Sequence, residues 1–245
     1  MKRNKVAWVA MVSAFLVGFI PAVWAEDSGS GDYIKHRAYV GILGISSNID
    51  NTGDFNGTGG FISPSAGNEI DIIPAISRNF GFAGMAGYRE GAYAVEVSYW
   101  RSDHDATWLY GAPPTTFYGT ASFQSINIDL KRYLFTKFPT QPFFSLGFSL
   151  PWVVTHNGST LDAITFSDST IQGLGFNLGV GLEIYMGSDF SIVGGAIQRW
   201  AGFSQINGFS GQALNKLYVD GDPNDVTNLK GDGLNFYVGG TVGFE

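Results

Sequence analysis

Residues 174–185 read LGFNLGVGLEIY, and their alternation leaves little freedom in what the chain can become. Leu174, Phe176, Leu178, Val180, Leu182 and Ile184 take one set of alternate positions. Gly175, Asn177, Gly179, Gly181, Glu183 and Tyr185 take the other. A period of two gives each set its own face of a β-strand. A helix would wind Asn177 and Glu183 into the apolar stripe, and its glycines would weaken it further. The strand runs for about twelve residues, against a mode of about five or six in globular proteins. A strand crossing a hydrocarbon layer needs about nine to eleven tilted residues, apolar outward and polar or small inward. This stretch meets both requirements.

The pattern recurs along the chain. Strands are expected at 37–45, 79–89, 93–101, 121–134, 142–155, 174–185, 190–201 and 234–244. In the second, Phe80, Phe82 and Tyr88 oppose Gly81, Ala83, Gly87 and Arg89. The third sets Tyr93, Val95, Val97 and Tyr99 against Ala94, Glu96 and Ser98. The fourth sets Ile126, Ile128 and Leu130 against Asn127, Asp129 and Lys131. A magnitude decides its register: Lys131 turned to lipid near the midplane would cost roughly 2–4 kcal/mol, and a one-residue slip would expose Asp129 as well. The fifth carries Phe144, Leu146, Phe148, Leu150, Trp152 and Val154 outward, with Pro151 expected to mark a bulge or the end of lipid-level pairing. The first strand is apolar on both faces and its orientation stays open. The seventh is the least regular, because Ile192 and Val193 fall on opposite faces.

Between these strands, long polar segments (46–78, 102–120, 156–170 and 202–233) alternate with short turns at Glu90-Gly91, 135–141 and 186–189. That rhythm is the asymmetry of a barrel with short periplasmic turns and long outer loops. An even strand number puts both termini on the periplasmic side, and pairing of the first and last strands leaves no open edge.

The N-terminal region has the layout of an export signal. Lys2, Arg3 and Lys5 precede an uncharged, mainly apolar run at 6–20, and Val23-Trp24-Ala25 offers a cleavage site. The run is shorter than the typical helical span of about 20 residues, so residues 1–25 are expected to be removed. Residues 26–36 then form a short, polar, mobile periplasmic lead-in. Losing three basic residues and no acid takes the formal charge from −7 to −10, which argues against nucleic acid as a partner. There are 34 glycines and no cysteine, so thiol metal ligands, thiol nucleophiles and disulfides are excluded.

Taken together, YVGILG (39–44), FGFAGMAGYRE (80–90), VEVSYW (95–100), LGVGLEIY (178–185) and FYVGGTVGFE (236–245) resemble the small eight-stranded outer-membrane β-barrel proteins, the broad OmpA, OmpX and OmpW-like group. The likeness covers essentially the whole mature chain. It implies an all-β fold over residues 37–245: a closed, antiparallel, eight-stranded transmembrane up-and-down barrel with short periplasmic turns and long extracellular loops. It further implies a place in the outer membrane of a Gram-negative bacterium, contact with outer-membrane lipid and lipopolysaccharide, help from the barrel-assembly machinery, and a monomer. Members of the group commonly end in an aromatic residue that the machinery reads; here Phe244 is followed by Glu245.

The inward faces deliver Arg89, Glu96, Asp129, Lys131, Glu183 and Arg199, three bases and three acids, expected to pair into a charge network that plugs a lumen just wide enough for side chains. Inward glycines leave room for a narrow water path. Tyr93, Tyr99, Phe144, Trp152, Phe236 and Phe244 are expected to form the lipid-facing aromatic girdle. No catalytic, cofactor or metal site is expected. His36, His104 and His156 lack metal spacing. Ser102-Asp103-His104-Asp105 invites an acid–histidine reading, but a solvated loop tip explains it. The run Asp220-Gly221-Asp222-Pro223-Asn224-Asp225 begins like a calcium loop, yet it has Asp225 where the loop needs glycine and Gly231 where it needs glutamate. A turn is the simpler reading. The function expected is structural and surface-interactive, through acidic loops that meet lipopolysaccharide, divalent ions or outside partners. Alternatives are a narrow channel for small hydrophobic molecules, a lipid A-modifying enzyme, and a soluble lipocalin-like binder with its apolar face inward.

Overall fold

The computed structural model describes residues 33–34, 36–49, 61–62, 70–71, 74–110, 115–156, 160–161, 164–165, 169–187, 189–207 and 229–244. The signal segment at 1–25 and the calcium-like run at 220–225 lie outside the described residues.

Eight long strands form the wall: β1 His36–Ser47, β2 Asn79–Glu90, β3 Tyr93–Tyr110, β4 Thr115–Tyr133, β5 Thr140–His156, β6 Ser169–Tyr185, β7 Phe190–Asn207 and β8 Gly233–Phe244. Each pairs antiparallel with its sequence neighbours. The last closes on the first, from Ala38 opposite Phe244 to Ser46 opposite Phe236. Closure satisfies the main chain of both edge strands, which an open sheet in lipid cannot do.

Burial alternates with the sequence pattern, inside out relative to a soluble barrel. Val40, Ile42, Phe82, Val97, Ile128, Leu150, Leu178, Val180 and Val238 are exposed on the outside, while Glu96, Asp129, Lys131 and Asn177 are buried inside. A lipocalin turns its apolar side inward, so the soluble alternative is overturned by the direction of the faces. The open orientation of β1 is settled too: Arg37, Tyr39, Leu43 and Ile45 point in, Val40 and Ile42 out. In β7, Ile192 is exposed and Val193 buried.

The segment at 102–120 is not an irregular connection. β3 and β4 stay paired from Tyr93–Arg132 up to Tyr110–Thr115, and Ala75 and Ile76 pair with Thr107 and Ala106 to carry the β2 side upward. Alternation persists here, but its outer row changes chemistry. Above Tyr99 come Arg101 and Asp103, an exposed ion pair at 3.4 Å. Charges outside and small or polar groups inside still specify a strand, now facing water instead of lipid. Similarly, β5 reaches His156, β6 starts at Ser169 and β7 reaches Asn207, so the connections at 156–170 and 202–233 both begin as strand.

Pro151 remains within β5, opposite Ser125 of β4. Its missing N–H shows on the other side, where the β5–β6 pairing skips from Trp152–Gln172 to Ser149–Gly175. Next to that gap, the β6–β7 register shifts between Gln172 and Gly173. The irregularity a proline imposes on a sheet is thus absorbed one strand away. At the short-turn end, part of the lead-in is held in place: the Tyr33 N–H donates to the Thr136 carbonyl at 2.8 Å, and Ile34 is buried. Apolar contact at the mouth outweighs the polar character of the segment as a whole.

Candidate functional site

The inner wall carries the chemistry. Parity brings Arg89, Glu96, Asp129, Lys131, Glu183 and Arg199 into the lumen, each at most 5 % exposed. Only one direct ion pair forms among them: Lys131 Nζ lies 2.6 Å from Glu96 Oε2. The Tyr39 hydroxyl donates to the same oxygen at 3.1 Å, and Lys131 sits 4.8 Å from the Phe143 ring centroid.

The other charges use neutral partners, so the expected one-to-one ionic pairing is corrected. Arg89 donates to the Gly91 carbonyl at 2.7 Å, to Gln141 Oε1 at 2.6 Å and to the Tyr185 hydroxyl, and it stacks 3.9 Å from the Tyr133 ring centroid. Glu183 accepts from the Tyr133 hydroxyl at 2.6 Å and from Ser191 at 2.5 Å. Asp129 accepts from Asn177 Nδ2 at 3.5 Å, and Asn177 also reaches Asn127 Oδ1 at 3.3 Å. Arg199 lies against the rings of Trp100 and Phe123, 5.3 and 4.9 Å from their centroids. The physical reason is reach. Inward side chains alternate with glycines around a narrow wall, so a charge meets the aromatic hydroxyls and amides of the next strands sooner than an opposite charge. Hydrogen bonds and ring faces then offset part of the desolvation.

The inward glycines are seats for side chains. A Cβ at Gly87 would come within 2.5 Å of the Tyr39 ring, and one at Gly147 would run into Asp129 Oδ1. At these two positions the space beside the glycine is taken by a neighbouring side chain. On the same inner face, Trp100, Phe123, Val153, Ile171 and Phe203 are buried.

The outer row places the girdle residues unevenly. Phe144, Phe236 and Phe244 are exposed, and Tyr99 and Trp152 meet with ring centroids 6.2 Å apart. Tyr93 is a correction: it keeps outward parity but is only 8 % exposed, with the Arg132 guanidinium 5.6 Å from its ring centroid. Arg132 stands opposite Tyr93 in the ladder and covers it.

His104 is also corrected. It is no loop tip but an inward strand residue, 1 % exposed, above the charged boundary set by Arg101 and Asp103. Its Nδ1 lies 2.6 Å from the Ser77 carbonyl and its Nε2 2.7 Å from Ser102 Oγ. The carbonyl only accepts, so Nδ1 carries the proton and Nε2 accepts from the serine. Ser102 is equally buried, and through the Ser77 carbonyl the pair pins the segment entering β2. Burial holds the His104 imidazole below its ordinary value, against the opposing pull of the Ser77 carbonyl, Asp103 and Asp105. The folded chain therefore protonates less readily than the unfolded one. This group's contribution is full above pH about 6.5 and is lost as pH falls toward the lowered folded value. We expect the urea midpoint to fall between pH 7.5 and 5.5, and to fall less in His104→Gln. Equal losses in both proteins would refute the assignment.

Sequence reasoning missed Arg37, for which an available signal existed: an arginine in a lipid-level strand must face inward, which alone orients β1. It also passed over the inward tyrosines Tyr39, Tyr133, Tyr185 and Tyr237 as partners for the charges.

An apolar outer belt, a polar interior and a closed antiparallel wall define a membrane-spanning β-barrel. The chain has the fold of the small outer-membrane barrels. OprG from Pseudomonas aeruginosa matches over 88 % of this chain and 98 % of its own, at 11 % identity and a TM-score of 0.51. A major outer membrane protein from Thermus thermophilus matches over 85 % and 99 %, at 14 % identity and a TM-score of 0.49. Neisserial surface protein A matches over 84 % and 95 %, at 13 % identity and a TM-score of 0.47. No protein-family model and no curated protein matches the sequence.

Proposed function

We propose that the chain is an integral protein of the bacterial outer membrane, closed to solutes, that works by occupying the membrane and presenting its long acidic loops to lipopolysaccharide, divalent ions or outside partners. The observation that supports this reading is the packing of the inner wall: inward charges contact neighbouring side chains, and glycine seats are occupied by Tyr39 and Asp129. An eight-stranded barrel has an interior only just wide enough for its side chains. Side chains packed this way favour a lumen closed to ions over an open path. The test is planar-bilayer recording of the refolded barrel, with heat-modifiable gel mobility as the check of folding. Silence at the level of bare lipid is expected; large, steady conductance would make the protein a pore.

The same proposal fixes orientation. Long connections lie outside the cell and turns such as Gly91 face the periplasm. Cysteines introduced at Asn56, Ala112, Thr160 and Pro223 should react with an impermeant thiol reagent on intact cells, whereas one at Gly91 should not. Labelling at Gly91 alone would invert the topology.

A further inference from the structure

Among the described residues, each of the three short turns contains one residue with positive φ, and the three positions are not filled alike. Gly91, at φ 53°, takes that place between β2 and β3, and Gly187, at φ 107°, takes it between β6 and β7. Between β4 and β5 the residue is Phe135, at φ 55°. Glycine enters this conformation freely, whereas a bulky side chain crowds its own backbone there. The phenylalanine is therefore not in the turn for the sake of the turn. Nor is it there for packing, because Phe135 is 67 % exposed. Phe138 follows in the same turn and is 61 % exposed.

The main chain of this turn is tied down. The Phe138 N–H donates to the Phe135 carbonyl at 3.0 Å. Buried Gln141 donates through Nε2 to the Thr136 and Phe138 carbonyls at 3.0 and 2.7 Å. Two cations accompany the rings: the segment 132–140 reads RYLFTKFPT, with Arg132 and Lys137 both exposed and no acid. Arg132 continues the outer row of β4 beyond Ile128 and Leu130, and its ladder partner in β5 is Phe144, exposed on the same row. The apolar outer belt thus runs without a break into the turn. A tilted strand advances about 2–3 Å along the membrane normal per residue, which sets Phe135 roughly 7 Å beyond the level of Arg132 and Phe144. The headgroup layer outside the hydrocarbon is about 5–8 Å deep on each side.

We propose that the β4–β5 turn anchors anionic phospholipid in the leaflet on the short-turn side. Phe135 and Phe138 lie among the headgroups, and Arg132 and Lys137 bind the phosphates beside them. Long basic side chains lay their stems along apolar surface and keep the charge among headgroups, where it attracts anionic lipid. Apolar rings sink beside them, as on the apolar face of an interfacial segment. Two cations with no acid fit a phosphate-bearing surface, and continuity with the outer belt favours lipid over a soluble protein as the occupant. The anchor is independent of whether the lumen conducts and of which side of the cell the turn faces.

The experiment places trifluoromethyl-phenylalanine singly at Phe135 or Phe138 of the full chain, refolded in nanodiscs, and reads its ¹⁹F relaxation. The discs hold phosphatidylcholine alone or mixed with phosphatidylglycerol. A lipid carrying a nitroxide near its headgroup and an aqueous gadolinium chelate are added in turn. The same probe at Tyr118, 73 % exposed on the long-loop half of β4, serves as the ring in water. At both turn positions the ratio of lipid-driven to chelate-driven relaxation should exceed that at Tyr118 several-fold. It should rise further with phosphatidylglycerol, and the double variant Arg132→Gln with Lys137→Gln should lose that rise. Chelate-driven relaxation at both turn positions, as at Tyr118, puts the rings in water and overturns the anchor. Lipid-driven relaxation that ignores phosphatidylglycerol in the unmodified chain overturns the recognition of anionic lipid.

Discussion

Replacing Lys131 with methionine should destabilise the folded barrel by roughly 3–5 kcal/mol, the largest loss expected from any single change inside it. The ammonium is 2.6 Å from Glu96 and both side chains are nearly wholly buried. Methionine fills a similar volume, so the cost is not a cavity but an orphaned carboxylate. The Tyr39 hydroxyl remains as a donor to Glu96, yet one neutral hydrogen bond does not replace a cation. Two escapes are open to the variant: it unfolds at lower urea, or water enters beside Glu96 and opens a cation-preferring leak. Urea titration in lipid vesicles reads the first and single-channel recording the second. The double variant Lys131→Met with Glu96→Gln removes both charges and should recover much of the loss. If the double variant is as unstable as the two single losses added together, the pair is not coupled and Lys131 acts elsewhere.

Much of the wall was legible because lipid imposes a strict rule on alternate positions. A single charged residue was enough to set a strand: Lys131 for β4, Glu183 for β6. Where charge stopped being a penalty, the rule lost its force. Asp103 and Asp105 look like loop residues if outward means lipid, but they are ordinary outward residues of a strand standing in water, and His104 between them is buried. The interior was legible in membership and not in pairing. Parity says that Arg89 and Glu183 point inward, but it does not say which neighbour each meets. That depends on the stagger between strands, which sets Tyr133 and Tyr185 beside Arg89 and Ser191 beside Glu183. Which neighbour lies beside an inward glycine was not legible either: Tyr39 takes the place over Gly87.

The outer face supports an equally direct expectation: Val97→Lys and Leu178→Lys should each destabilise the barrel by roughly 2–4 kcal/mol if their sites lie near the midplane. Both residues are exposed on the outer row, 48 % and 47 %, flanked along their strands by Val95 and Tyr99 and by Phe176 and Val180. A lysine there must hold its ammonium in hydrocarbon or stretch along the wall toward a headgroup. Ser98→Lys is the informative control. Ser98 adjoins Val97 in sequence but points inward, where its Oγ accepts from Trp100 Nε1 at 3.0 Å and from Asn127 Nδ2 at 3.3 Å. Lysine at 98 gives up those contacts and crowds a packed interior, but it gains a polar neighbourhood containing Asp129 and Glu96, and a smaller cost is expected. The lipid contrast sharpens the test. In bilayers, the two outer variants should lose most; in a detergent micelle, whose headgroups and water approach more closely, their penalty should shrink while that of Ser98→Lys stays the same. Equal destabilisation of all three variants in vesicles, with no relief in detergent, would mean that the exposed apolar row does not face lipid.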